Sequence, residues 1–147
     1  MVKLTGLKKI KTAVFISGAG SNLKNLIKFS KIKKTPLSID LIISDTHLAN
    51  GLKYADQFKI KKKIFNFKDF KEAEKKILIS LNKEKIKFIC LAGFMKILSN
   101  EFIKKFDKKI INIHPSLLPK YKGLNTHSRA IKNKDKFAGC TVHYVTE

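Results

Sequence analysis

The stretch "TAVFISGAGSNL", Thr12–Leu23, decides the fold class. Its apolar first half stops at Gly18, which predicts a short, buried β-strand followed by a turn of small residues. Beyond the turn, Leu23, Leu26 and Ile27 recur with helical spacing. The stretch is therefore predicted to run from a strand through a tight turn into a helix.

The same alternation continues to the end of the chain. Apolar runs predict further strands at residues 37–44, 63–67, 88–93, 109–113 and 138–146. Amphipathic or capped segments predict helices at residues 49–58, 70–84, 98–106 and 125–133. This alternation predicts an α/β fold with a doubly wound, mostly parallel sheet in a single domain, residues 1–147. In such sheets ligands bind outside the carboxyl ends of the strands.

The charge of the chain is strongly positive. Its 147 residues include 32 Lys and Arg against 11 Asp and Glu, a formal net charge of +21. A polyanion partner such as nucleic acid is one interpretation. The lysines are spread along the chain and not gathered on one stripe, no interleaving of aromatic and basic residues suggests base stacking, and Arg129 is the single arginine. This pattern favours a compositional bias with no specific nucleic-acid partner, and the charge would still steer small anionic substrates.

The two cysteines and the length of the apolar runs bear on location. Cys90 and Cys140 lie in apolar segments, and neither has a second Cys at metal-ligand spacing. We interpret them as reduced thiols of a cytoplasmic protein, and no metal site is predicted. No apolar run approaches the length that spans a membrane, so no membrane partner is expected.

The turn between the first strand and the first helix is a candidate anion site. Small residues let backbone amides approach an anion, and a helix N-terminus adds partial positive charge. The glycines, Gly18 and Gly20, match neither a dinucleotide fingerprint nor a nucleotide-triphosphate loop, so a single phosphate fits better. An ordinary strand-to-helix turn, capped by Ser21 or Asn22, is an equal alternative.

The segment "NIHP", residues 112–115, ends the fifth predicted strand. Positions i and i+2 of a strand face the same side, so Asn112 and His114 are predicted to point together. Asn112 can donate to a carbonyl oxygen while His114 exchanges a proton, which suits acyl transfer. The alternative is a strand-end histidine whose ring is satisfied by the backbone. Ser116 lacks the pattern of a covalent nucleophile.

Five segments carry a resemblance: "SGAGSNL", "LAGFMKILS", "NIHPSLLPKYKGL", "TH" and "GCTVHYVTE". In order and spacing they resemble phosphoribosylglycinamide formyltransferase of purine biosynthesis, a Rossmann-like enzyme that uses 10-formyltetrahydrofolate. The block "NIHPSLLPKY" is also similar to related folate enzymes. Methionyl-tRNA formyltransferase, formyltetrahydrofolate hydrolase and an inactive binding remnant therefore stay open as alternatives. "GSNL" and "KGLNTH" favour the glycinamide ribonucleotide enzyme, acting on small molecules; the oligomeric state is not predicted.

The resemblance implies roles for individual residues. Asn112 would polarise the formyl group and His114 would transfer the proton. Residues that would bind glycinamide ribonucleotide are Gly20, Ser21 and Asn22 at its phosphate, with Gly93 and Pro115 lining its site. His127 and His143 match family histidines near the site, whereas Asn125 stands where the family has a further histidine.

The resemblance also implies a pocket for the co-substrate 10-formyltetrahydrofolate. Its borders would be Met95, Lys96, Ile97 and Leu98, together with Asn112. The family usually has Arg at the position of Lys96, and contacts made through the backbone would survive that change. Lys71 is a looser match to a basic residue that helps hold the folate.

The family continues past "VTE" with an Asp-Gly-Gly segment whose aspartate orders the catalytic histidine, and with further strands and a long helix. The sequence given ends at Glu147. The resemblance therefore implies a domain incomplete at its C-terminus, and we expect residues 1–147 alone to show little or no formyl transfer.

Overall fold

A computed structural model describes residues 8–147 as alternating strands and helices. The strands are β1 (Ile10–Ile16), β2 (Leu37–Ser44), β3 (Lys61–Ile64), β4 (Phe88–Leu91), β5 (Lys109–His114) and β6 (Thr141–Tyr144). The helices are α1 (Ser21–Ser30), α2 (Leu52–Phe58), α3 (Phe70–Lys83), α4 (Asn100–Phe106) and α5 (Thr126–Lys132). Every predicted strand and helix is present, with ends shifted by a few residues.

The strands form one sheet in the order β3-β2-β1-β4-β5-β6. Strands β1 to β5 pair in parallel, and β6 runs antiparallel to β5. The prediction of a doubly wound, mostly parallel sheet is thus confirmed. The chain reverses its direction across the sheet between β1 and β4, and the crevice at such a reversal is where this architecture binds ligands.

Two apolar layers hold the helices on the two faces of the sheet. Helices α3 and α4 cover one face with buried side chains that include Ile77, Leu81 and Phe102. Helices α1 and α2 cover the other face, with Leu23 and Ile27 fully buried. Because β1 is covered on both faces, its last five residues are all buried, and all of them except Thr12 are apolar.

The edge strand β3 contrasts with this centre. Its residues Lys61, Lys62 and Lys63 place charges along the edge, and such charges discourage pairing with another chain. None of the helices within residues 8–147 is long and apolar enough to cross a membrane.

The start of α1 corrects one prediction. Neither Ser21 nor Asn22 caps the helix; the cap is Gly20, which has φ +75° and no side-chain hydrogen bond. A left-handed backbone at this position suits glycine, because a Cβ would be strained there. Helices α3 and α4 have side-chain caps of the usual kind: Asp69 accepts from Glu72 N–H, and Ser99 accepts from Phe102 N–H.

Candidate active site

The ends of β1 and β4 are tied together at the reversal point of the sheet. Ser17 N–H donates to the Gly93 carbonyl at 3.1 Å, and Met95 N–H donates to Ser17 Oγ at 2.8 Å. Gly93 has φ +77°, so the chain turns sharply where β4 was predicted to continue to residue 93. This turn ends β4 at Leu91 and holds the loop 93–98 beside the end of β1.

Two clefts open on this loop and share a wall. The larger cleft, about 680 Å³, is lined by the loop, by β5 and by His143 of β6. The smaller cleft, about 370 Å³, lies between Gly93, Pro115 and the start of α5 with His127. Asn112 and His114 line both clefts. The prediction that these two side chains share one side of β5 is therefore confirmed.

The amide of Asn112 is held by the imidazole of His143. Asn112 Nδ2 lies 3.3 Å from His143 Nε2, and His143 Nδ1 lies 3.0 Å from the Tyr144 carbonyl. A carbonyl only accepts, so Nδ1 carries the hydrogen and Nε2 is free to accept from the Asn112 amide. Only one of the two Asn112 N–H bonds is used in this way. The other is available to a ligand in the cleft.

The ring of His114 is half-buried and bonded on one side. Its Nε2 lies 3.0 Å from the Tyr121 carbonyl. The alternative interpretation of the sequence, a histidine whose ring is satisfied by the backbone, therefore applies to Nε2 only. Nδ1 makes no hydrogen bond within residues 8–147, so this nitrogen can still bind a ligand.

The turn that begins α1 lies at the same edge of the sheet but outside both clefts. A Cβ on Gly20 would come within 2.6 Å of Gly51 Cα, so only glycine fits this close approach. The first turn of α1 has no acidic side chain, and its leading N–H groups have no partners within the helix. Asn22 lines an apolar groove on the other side of the sheet.

The predicted folate residues of the loop, Met95 to Leu98, take three different positions at the larger cleft. Met95 and Ile97 are 63% and 88% exposed at the mouth of the larger cleft, which is the surface an apolar ligand would cover. Leu98 is only 5% exposed and packs mainly in the core, so it borders the cleft from beneath. Lys96 lines the cleft, and its Nζ lies 3.9 Å from Asp45 Oδ2.

Lys71 is not brought together with the others. It lies in the first turn of α3 and is absent from the lining of both clefts. Its charge acts on Glu101, whose carboxyl pKa is lowered by the hydrogen bond from Lys105 and, less, by the charge of Lys71. Within residues 8–147 no cluster of three His, Cys, Asp or Glu side chains is arranged to hold a metal ion.

Two further residues, which the sequence does not predict, support the ring of His114 directly or through a neighbour. Tyr121 acts on His114 through its backbone carbonyl, and Asp135 accepts a hydrogen bond from the Tyr121 hydroxyl at 2.8 Å. Neither contact leaves a signal in residue type or spacing. The positive φ of Tyr121, +55°, follows from the tertiary structure and has no signature in "PKYKG".

The chain matches known proteins over almost its whole length. The family model described as formyl transferase matches residues 10–147. Phosphoribosylglycinamide formyltransferase of Haemophilus influenzae is 44% identical over 144 residues, which are 96% of this chain and 67% of the relative. The human trifunctional purine biosynthetic protein adenosine-3 is 42% identical over 143 residues, 95% of this chain.

Solved structures agree. The crystal structure of phosphoribosylglycinamide formyltransferase from Brucella melitensis is similar with a TM-score of 0.90 and 43% identity, covering 95% of this chain and 74% of that one. The chain spans 14% of the human trifunctional protein, whose other parts it does not match. Whether the domain is incomplete at its C-terminus stays a prediction. The family match, the strand order and the fold similarity agree, and the chain belongs to the formyl transferase family.

Proposed function

We propose that the protein transfers the formyl group of 10-formyltetrahydrofolate to the amino group of 5'-phosphoribosylglycinamide, a step of de novo purine (IMP) biosynthesis. The observation that carries the proposal is the pair Asn112 and His114, side by side on β5 and shared by two adjoining clefts. Two clefts that meet at one donor and one proton acceptor suit a reaction between two substrates. The names of the relatives supply the substrate class.

Asn112 would stabilise the negative charge that develops on the formyl oxygen. When the substrate amine attacks the formyl carbon, a C–N bond forms and the carbonyl electrons move onto oxygen. The free N–H of Asn112 is a preorganised donor for that oxygen, because its other N–H is already held by His143. Such a donor strengthens its bond as the charge grows, so it favours the transition state over the bound substrates.

His114 would move the proton. The attacking nitrogen becomes positively charged and must lose a proton, and the folate nitrogen must gain one as its bond to the formyl carbon breaks. Nδ1 of His114 accepts the first proton and can return it to the leaving nitrogen. The balance is complete, since one C–N bond forms, one breaks, and one proton passes between the two nitrogens.

The remaining predicted residues would divide between the two substrates. Gly20, Ser21 and Asn22 would bind the phosphate through backbone amides, and Gly93 with Pro115 would line the path to the smaller cleft. The list for the folate is Met95, Lys96, Ile97 and Leu98, with Lys71 further away. Both substrates carry negative charge, which the net charge of +21 attracts. We propose small-molecule partners, no specific nucleic acid, and a cytoplasmic location.

The test is a formyl-transfer assay on the natural gene product. His114→Ala should lower kcat by about 10²-fold or more, because general acid–base catalysis contributes that much. The matched control is Lys87→Ala, an exposed residue at the opposite ends of the strands, which should leave kcat unchanged. Equal rates for wild type and His114→Ala would contradict the proposal.

The choice of acceptor separates this function from the related folate enzymes. The same assay is run with glycinamide ribonucleotide, with methionyl-tRNA and with water as the acceptor. Transfer to the ribonucleotide alone is the expected result. Tight, salt-tolerant binding to initiator tRNA with formylation of its methionine would overturn the proposal, since electrostatic binding by scattered lysines falls steeply with salt.

A further inference from the structure

We propose that Tyr121 and Asp135 are positioning residues that fix the tautomer of His114. Neither is predicted from the sequence to take part in the reaction. Their structural effect on the ring stands by itself, and its consequence for catalysis rests on the proposed function.

The contact with Tyr121 dictates where the hydrogen of a neutral His114 ring lies. Nε2 is 3.0 Å from the Tyr121 carbonyl oxygen, and that oxygen has no hydrogen to donate. Nε2 must therefore be the N–H of the neutral ring, and the lone pair is on Nδ1. Loss of this contact would let the hydrogen move to Nδ1, and the base would then point at the wrong partner.

The Tyr121 carbonyl is in place only because the residue adopts an unusual backbone. Its φ of +55° is unfavourable for a side chain with a Cβ, so other contacts must hold it. Three are present, all on the side chain. The hydroxyl donates to Asp135 Oδ2 at 2.8 Å and accepts from Asn133 Nδ2 at 2.9 Å, and the Arg129 guanidinium lies 5.1 Å from the ring centroid.

Asp135 connects the side chain of Tyr121 to the end of α5. Its N–H donates to the Ala130 carbonyl at 3.0 Å, which fixes the residue against the last turn of the helix. The hydrogen bond from Tyr121 and then the one from Lys120 lower the pKa of the Asp135 carboxyl, so it is ionised near neutral pH. The bond from Tyr121 is therefore charge-assisted, which is the stronger kind.

The experiment reads the His114 tautomer by ¹⁵N NMR on the natural gene product, with His114→Gln used to assign the resonance. The wild type should show the hydrogen on Nε2, protected from exchange with water. Tyr121→Phe and Asp135→Ala should make that hydrogen exchange about tenfold faster or more, because its acceptor is no longer held. Both should admit the other tautomer, and both should lower kcat about tenfold with little change in KM.

Two further variants separate positioning from general loss of structure. Asp135→Asn keeps an oxygen that can accept from Tyr121, so it should restore most of the protection lost in Asp135→Ala. Lys120→Ala removes the other partner of Asp135, whose Nζ lies 3.2 Å from Oδ2, and should leave the tautomer unchanged.

The outcomes distinguish this proposal from the proposed function. A wild-type ring with its hydrogen on Nδ1 overturns the proposal, even if every variant fails to fold. Unchanged protection in both Tyr121→Phe and Asp135→Ala also overturns it. A wild-type protein with the expected tautomer but no formyl transfer would contradict only the proposed function.

Discussion

The larger cleft of the candidate site has a counterpart of similar size at the opposite ends of the parallel strands. The cleft at the carboxyl ends of β4 and β5 has a volume of about 680 Å³, and the one at their amino ends has about 570 Å³. The amino-end cleft is walled by α3, α4 and the turns before β4 and β5, and its charged lining includes Lys85, Lys87, Lys105 and Lys108. The carboxyl-end cleft contains Asn112, His114 and His143.

The two clefts differ in their chemical groups more than in their volume. The lysines of the amino-end cleft offer cationic donors, and its lining includes no histidine. At the carboxyl end, neighbouring strands bring an amide donor and imidazole nitrogens into one wall, with each ring oriented by a backbone carbonyl. Asn112 and His114 lie at the carboxyl end of β5, where this architecture binds ligands, and His143 reaches the same wall from the antiparallel strand β6, in which it is the pairing partner of Asn112.

The largest expected effect is the loss of kcat in Asn112→Ala, a substitution in the carboxyl-end cleft. Removing one donor to a developing oxyanion costs about 10²- to 10³-fold in kcat. Asn82→Ala removes the same side-chain group from the amino-end cleft and should have no effect on the rate. Steady-state kinetics of both variants checks this, and comparable losses would mean that the comparison of the two clefts is wrong.

Ser99→Ala asks how firmly the carboxyl-end cleft is held. Ser99 caps α4 and donates through N–H and Oγ to Glu74, whose side chain is buried. Its loss should lower the free energy of unfolding by about 2 kcal/mol or more, because a cap and a bond to a buried carboxylate go together. Asp69→Ala removes the exposed cap of α3 and should cost about 1 kcal/mol. Urea unfolding curves compare them; equal losses would show that the Glu74 contact adds nothing.

Gly20→Ala tests the phosphate turn separately from the clefts. A Cβ at this position would clash with Gly51, and the positive φ would be strained for alanine, so the turn must shift. The affinity for glycinamide ribonucleotide should therefore fall about tenfold. Folate affinity should be unchanged. Gly18→Ala is the control, since a Cβ there meets nothing within 4 Å. Isothermal titration with each ligand gives the answer, and an equal loss of both affinities would indicate a folding defect.

The two thiols give the smallest expected effect. Burial raises the pKa of the Cys90 thiol to about 12, whereas Cys140 is exposed. Below that pH Cys90 in the folded protein stays protonated, so a thiol reagent at pH 8 should modify Cys140 alone. Cys90 should react once the protein is unfolded. Rapid labelling of Cys90 in the native protein would mean that β4, which runs between the clefts, is open to water.

The sequence predicted the elements better than the contacts between distant residues. Buried runs such as Leu37–Ser44 were located to the residue, because apolar patterning is a local property. The cap of α1 was assigned to Ser21 or Asn22, since the close approach of Gly51 to Gly20 is set by a separate loop. The sequence predicts that β4 continues to residue 93, because the contact between Gly93 and Ser17 that turns the chain is formed with a distant strand.

In the candidate site, too, the sequence predicts local features better than contacts between distant residues. Asn112 and His114 were found because strand periodicity places them on one side. The contact of His114 with Tyr121 could not be found, because it uses a backbone carbonyl positioned by a left-handed residue. The position of Lys71 outside the clefts depends on how α3 packs, which the pattern of the helix itself does not contain.

The most direct test of the account is to map where the two substrates bind. Backbone amide shifts of ¹⁵N-labelled protein are followed during titration with glycinamide ribonucleotide and with a non-reactive analogue of 10-formyltetrahydrofolate. The account predicts that the ribonucleotide perturbs Gly20 to Asn22 and Gly93, that the folate analogue perturbs Met95 to Leu98, and that both perturb Asn112. Perturbations centred on Lys85 to Lys87 and Lys105 to Lys108, with the carboxyl-end residues unchanged, would contradict it.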